Sequence, residues 1–190
     1  MEEIVSFFVQ YKKVFVIAHV FSVIFGMGAA LVSDVLFNTF IKDKKINITE
    51  NKVLSTLSQI VWISLIFIVL SGVGLFFSAP EIYATSSKFL TKVTVILVIV
   101  LNGALFHFIV HPALPKMTFT SDNPDNKYVR VRRWSFAFGA VSIISWLLAF
   151  ILGSVSAIPV AYKEAMILYA AILFVGIGTS QILERKVTRR

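Results

Sequence analysis

The sequence contains no cysteine. That excludes disulfides, thiolate zinc sites, Cys-ligated iron–sulfur clusters and covalent c-type haem attachment. Charge is also scarce, at 15% of residues against about 25% in soluble domains. Lys and Arg are missing from the deep parts of every long apolar run, which argues against a voltage sensor or a retinal Schiff base. No P-loop, HExxH or GxSxG motif occurs, nor a GxGxxG followed by a strand. No internal repeat and no paired half-helices are visible, so an inverted-repeat transporter is not expected. With five short-looped spans, the chain is also small for an autonomous transporter.

What is present in excess is apolar. Hydrophobic residues make up 57% of the 190, eighteen of them Phe, and the mean hydropathy is +0.85. The polar residues are too few to cover such a core in water, so a soluble globular domain is excluded. About 20 mainly apolar residues cross a hydrocarbon core of about 30 Å as a helix. Five runs meet that requirement, at 14–37, 54–78, 91–111, 134–157 and 164–183. Pro80, Pro112 and Pro159 close the second, third and fourth, because proline lacks the N–H and clashes with the preceding turn. The runs are too long and too continuously apolar for strands. The expected fold is all-α: a polytopic integral membrane protein, a five-helix bundle forming a single transmembrane domain over residues 1–190.

The N-terminus reads as no cleavable signal peptide, with Glu2 and Glu3 where a basic region belongs. Ile4, Phe7, Phe8 and Tyr11 share one helical face, so residues 2–12 are expected as a short interfacial helix or an extension of the first span. Orientation follows from the connections. Lys12, Lys13, Lys88, Lys92 and Lys163 fall on one side. The other thirteen of the eighteen basic residues, including all six Arg, fall on the opposite side. That side is expected in the cytoplasm, giving an N-out, C-in protein of a bacterial-type inner membrane. The expected partners of Arg130, Arg132 and Arg133 are anionic lipid headgroups, not nucleic acid. Tyr83, Tyr162, Tyr128 and Trp134 sit where aromatic belts belong, while Trp62 and Trp146 fall near mid-membrane as core. Asn47-Ile48-Thr49 has the form of a glycosylation sequon but reads as a loop leading into the second helix. Residues 121–126 read as a solvated turn.

Ionisable groups at membrane depth are costly, and each is a functional candidate. Four stand out: His19, Asp34, His107 and His111. At about 1.5 Å rise per residue, His19 lies roughly 9 Å below the outer edge, His107 roughly 24 Å, His111 roughly 30 Å and Asp34 roughly 31 Å. Asp34, His107 and His111 therefore share the inner leaflet. The two histidines are i, i+4 on one face, and with Asp34 they would make a 2-His-1-carboxylate set for a divalent metal, or a proton relay. Alternatively, Asp34 pairs with Lys42, Arg132 or Arg133. His111 precedes Pro112, which disfavours helical geometry there.

His19 heads a stripe of small residues, Ser22, Gly26, Ala30 and Ser33, at spacings that let helices pack closely in lipid. The fourth run carries a similar stripe at Gly139, Ser142, Trp146, Ala149, Gly153 and Ser156. His19 thus faces the bundle interior and needs a partner there. Met166 and Ser154 lie at similar depth, and a His19/Met166 axial pair would suit haem b. The alternative is a plain hydrogen bond to a neighbouring helix.

The stretch Ala18-His19-Val20-Phe21-Ser22-Val23-Ile24-Phe25-Gly26-Met27-Gly28-Ala29 resembles the first helix of two related families of small bacterial membrane proteins. These are the copper-resistance D proteins and the haem-binding membrane protoporphyrinogen oxidases. His19, Gly28 and Ala29 occupy matching offsets; Gly26 stands where those families typically have Trp. The resemblance covers about 12 residues. It implies a helical bundle with His19 as a haem or metal ligand, and no particular activity.

Three functions are therefore open from sequence. One is binding of haem or a metal through intramembrane histidines, for redox or cofactor handling. The second is a non-catalytic assembly or interaction subunit, as a homo-oligomer or with a membrane partner. The third is translocation of a metal ion or proton through Asp34 and His107.

Overall fold

The computed structural model describes residues 2–117, 119 and 126–189, and every regular element among them is helical. Seven α-helices follow one another: α1 (Glu2–Gln10), α2 (Lys12–Phe40), α3 (Ile48–Phe77), α4 (Pro80–Thr85), α5 (Ser87–Leu105), α6 (Asn126–Ser154) and α7 (Tyr162–Arg189). Five segments are long and apolar enough to cross a membrane: Lys12–Asp43, Ile48–Phe77, Ser87–Lys116, Tyr128–Ser154 and Tyr162–Thr188. No more than 28% of the most apolar stretch of any of them is buried. Ile17, Phe21, Phe108 and Phe174 are among the large side chains left exposed. Apolar surface on this scale requires apolar surroundings, so the architecture is that of a multi-pass membrane protein.

Helix ends are set by local chemistry. Asn47 caps α3, its Oδ1 accepting the Glu50 N–H at 2.9 Å while Glu50 Oε2 accepts the Asn47 N–H at 2.8 Å. This reciprocal cap lets the polar first turn join the helix, so α3 starts six residues before the run read from hydropathy. It also gives the sequon-like Asn47 the structural role expected of it. Pro80 does more than close the second span: it opens α4 at a first-turn position, where its missing N–H costs nothing. α1 is separated from α2 at Tyr11 (φ −95°, ψ 11°) and packs against α3, with Phe8 stacked on Phe77 at 5.5 Å. The turn expected at 121–126 lies outside the described residues except for Asn126, which begins α6.

The third span departs most from expectation. It does not end at Pro112: α5 passes into a π turn (Phe106–Val110) and then a 3₁₀ turn (His111–Lys116). The His111 N–H reaches back five residues to the Phe106 carbonyl, and His111 itself is helical at φ −53°, ψ −43°. Widening the helix before the proline provides room for the ring where a regular α-turn would clash.

α2 and α3 pack side by side along their length, and small residues make the close approach. Gly26 is essential to it. A Cβ there would lie 2.7 Å from Trp146 Cη2 and 3.0 Å from Ser64 Cβ. α6 stands centrally, touching α2, α5 and α7. Two apolar clusters result. One, in mid-bundle, gathers Ala30, Leu65, Ile68, Ile99 and Tyr169 around Trp146, which is 1% exposed. The other gathers Ile41, Val110, Leu114, Met117, Phe119 and Phe136 at the end carrying the basic loops. Lys44, at a left-handed φ of 65°, ties that end together, as its Nζ donates to the Val187 carbonyl of α7 at 2.9 Å.

Candidate functional site

A cavity of about 390 Å³ lies in the half of the bundle nearer the basic loops, walled by α2, α3, α5, α6 and α7. Most of its wall is apolar, including Phe37, Trp62, Phe106, Phe136 and Phe138. Asp34, from α2, is the one ionisable residue in the wall among the described residues. Gly139 of α6 lies opposite, and a Cβ there would sit 3.5 Å from Asp34 Oδ1. Asp34 Oδ2 is buried without a hydrogen-bond partner. The nearby Asn38 amide does not serve it, donating to the Asp34 backbone carbonyl at 2.9 Å instead. A buried carboxylate oxygen left unpaired is expensive.

The hydroxyls in the wall reinforce this polarity. Ser135 Oγ donates to the Arg132 carbonyl at 2.6 Å, and Thr179 Oγ1 to the Val175 carbonyl at 2.9 Å. Ser180 Oγ donates to the Ile177 carbonyl at 2.7 Å. Their protons are spent on their own helices, so what remains is oxygen lone pairs. The Asn102 amide is likewise engaged, donating to the Phe138 carbonyl at 3.1 Å and joining α5 to α6. Ser33, Ser58, Ser142 and the Trp62 indole N–H line the same wall, so it can donate hydrogen bonds as well as accept them.

His19 is half-buried where α2 meets α3. Its Nδ1 lies 3.0 Å from Ser71 Oγ, whose hydroxyl donates to the Phe67 carbonyl. Nδ1 is the ring nitrogen that this contact engages. Ser71, not Met166 or Ser154, is its partner. The sequence held a signal for it: His19 lies seven residues into α2 and Ser71 six before the end of the antiparallel α3, at matching depth. Met166 packs against the mid-bundle cluster from α7, and Ser154 is exposed at the end of α6.

His107 and His111 stack with ring centroids 5.7 Å apart. They do not join Asp34. Among the described residues no group of three or more His, Asp or Glu is placed to hold a metal, so the expected Asp34–His107–His111 set does not form. The reason is that Asp34 faces Gly139 of α6, which stands between α2 and the π turn. His107 is exposed, whereas His111 Nε2 is buried without a partner. Nor does Asp34 pair with Arg132. That side chain is buried inside the bundle, where its Nε meets Glu184 Oε1 at 2.6 Å.

The residues that sequence reasoning missed are Ser58, Asn102, Ser135, Thr179 and Ser180 around Asp34, and Glu184 beside Arg132. These cavity residues are isolated polar groups spread over α3, α5, α6 and α7, and only their convergence marks a site. No protein-family model, no curated protein and no solved structure matches the chain.

Proposed function

We propose that this chain is a membrane-embedded binding protein that takes a small molecule into the Asp34 cavity. The observation that carries the reading is a space of about 390 Å³ with a mostly apolar wall and one carboxyl group, Asp34, whose Oδ2 is buried and unpaired. Pockets from about 300 Å³ upward, mostly apolar with a few convergent polar groups, are the usual form of small-molecule sites. The excess of Lys and Arg at the cavity's end supports an N-out, C-in orientation in a bacterial-type inner membrane, with the cavity in the cytoplasmic leaflet. In that setting α1 rests at the outer interface.

The test is mass spectrometry of small molecules released from protein purified in mild detergent. Wild type is expected to yield a stoichiometric compound that is lost from Ser142→Phe, whose new ring occupies the cavity. Equal recovery from both proteins, or none from either, overturns the reading.

A second reading is favoured by one specific observation, the contact of His19 Nδ1 with Ser71 Oγ. Metal-ligating histidines characteristically hydrogen-bond a neighbour through their second ring nitrogen, and Ser71 stands at that position beside His19. With the first-helix resemblance, this supports His19 Nε2 as a haem or metal ligand, with Met166 as candidate second ligand. Bound haem would supply electron transfer. An absorption spectrum decides it: a Soret band in wild type that vanishes in His19→Ala supports the ligand role, and a featureless wild-type spectrum with no bound metal removes it.

A further inference from the structure

Resting on the reading of the Asp34 cavity as a binding site, we infer that its ligand is a small organic monocation, a protonated amine or quaternary ammonium carrying an apolar body. Two features converge on this class. The wall offers one carboxylate and no cationic side chain among the described residues, so a bound monocation leaves the site electrically neutral. An anion would face that carboxylate in a low-dielectric space with no counter-charge. Five aromatic side chains, Phe37, Trp62, Phe106, Phe136 and Phe138, complete the wall, and aromatic faces attract ammonium groups.

Size separates an organic cation from a bare metal ion. A cavity of roughly 150 Å³ already accommodates benzene. One of about 390 Å³ is far larger than a dehydrated ion needs and takes a molecule of one or two rings. Compact multi-carboxylate coordination, which a divalent ion would require, is also absent among the described residues.

Titration calorimetry on the full-length protein in detergent tests this with two probes of similar size, benzyltrimethylammonium and the neutral N,N-dimethylbenzamide. Wild type is expected to bind the ammonium at least about tenfold more tightly than the amide. Asp34→Asn should bring the two affinities within about twofold, while Asp34→Glu, which keeps the charge, should preserve the preference. Retained preference in Asp34→Asn overturns the inference, because the cation then binds elsewhere. Equal binding of both probes to wild type, abolished in Ser142→Phe, also overturns it but leaves the cavity as a binding site. Failure of the ammonium to bind wild type overturns this inference, whether or not the amide binds; the proposed function then stands or falls on whether a released compound is recovered.

Discussion

At Gly26 a hydrogen atom occupies the only space that Trp146 and Ser64 leave. Trp146 is one of the most buried large side chains, and its ring is held by the mid-bundle cluster, so it cannot retreat from a new methyl group. Gly26→Ala should therefore destabilise the detergent-solubilised protein by about 1–3 kcal/mol, the usual cost of overpacking. Trp146→Phe, which removes the atoms nearest position 26, should recover part of that loss, and a double-mutant cycle in thermal melts would read the coupling. Gly28 is the internal control. No atom lies within 4 Å of its projected Cβ, so Gly28→Ala should be neutral or slightly stabilising. Equal losses at both positions would show that the contact with Trp146 and Ser64 is not the cause. The spacing of small residues made Gly26, Gly139 and Trp146 legible in the sequence, since helical periodicity is a one-helix property. It overreached at Gly153 and Ser156, which are exposed past the contact. It could not reveal the walls around Asp34, because Asn102, Ser135 and Thr179 come together only after five helices pack.

Among the elements, α6 and α7 share a charged contact that apolar periodicity cannot foresee. Arg132 and Glu184 meet at 2.6 Å, with side chains only 6% and 2% exposed. Both lie near helix ends, where the sequence reads as a basic surface, and only the packing of α7 turns Arg132 inward. Burying two charges is costly, and their attraction returns that cost only while both are present. Glu184→Leu should destabilise the protein by about 3–5 kcal/mol, because a buried guanidinium loses the carboxylate it meets. Arg132→Leu combined with Glu184→Leu should be markedly more stable than the single replacement. Melting temperatures of the three variants beside wild type test this. A double variant as unstable as Glu184→Leu alone would mean that packing volume, not charge, governs the contact. Element boundaries follow the same division between local and tertiary causes. Pro80 acts through its ring and Asn47 through a side-chain cap three residues away, both local effects readable in the sequence. The π turn before Pro112 answers both the proline and the packing of Val110 and Leu114, and sequence alone read it as a stop.

For the whole molecule, the five apolar helices were legible because a bilayer imposes length and composition on each helix separately. Orientation is a different kind of property. It rests on thirteen basic residues against five, and so on the cell's membrane potential and headgroups as well as on the fold. The absence of cysteine makes that orientation directly measurable, since any introduced thiol is the only one in the chain. Ala84 and Thr49 are exposed at opposite ends of the bundle, and replacing either leaves the charge count unchanged. In intact cells, a membrane-impermeant maleimide should label Ala84→Cys and leave Thr49→Cys unlabelled until the membrane is permeabilised. The reverse pattern would place the Asp34 cavity in the outer leaflet, open to ligands from outside the cell. Labelling of both sites in intact cells would mean that the chain inserts in two orientations, and that a charge difference of this size does not suffice to choose between them.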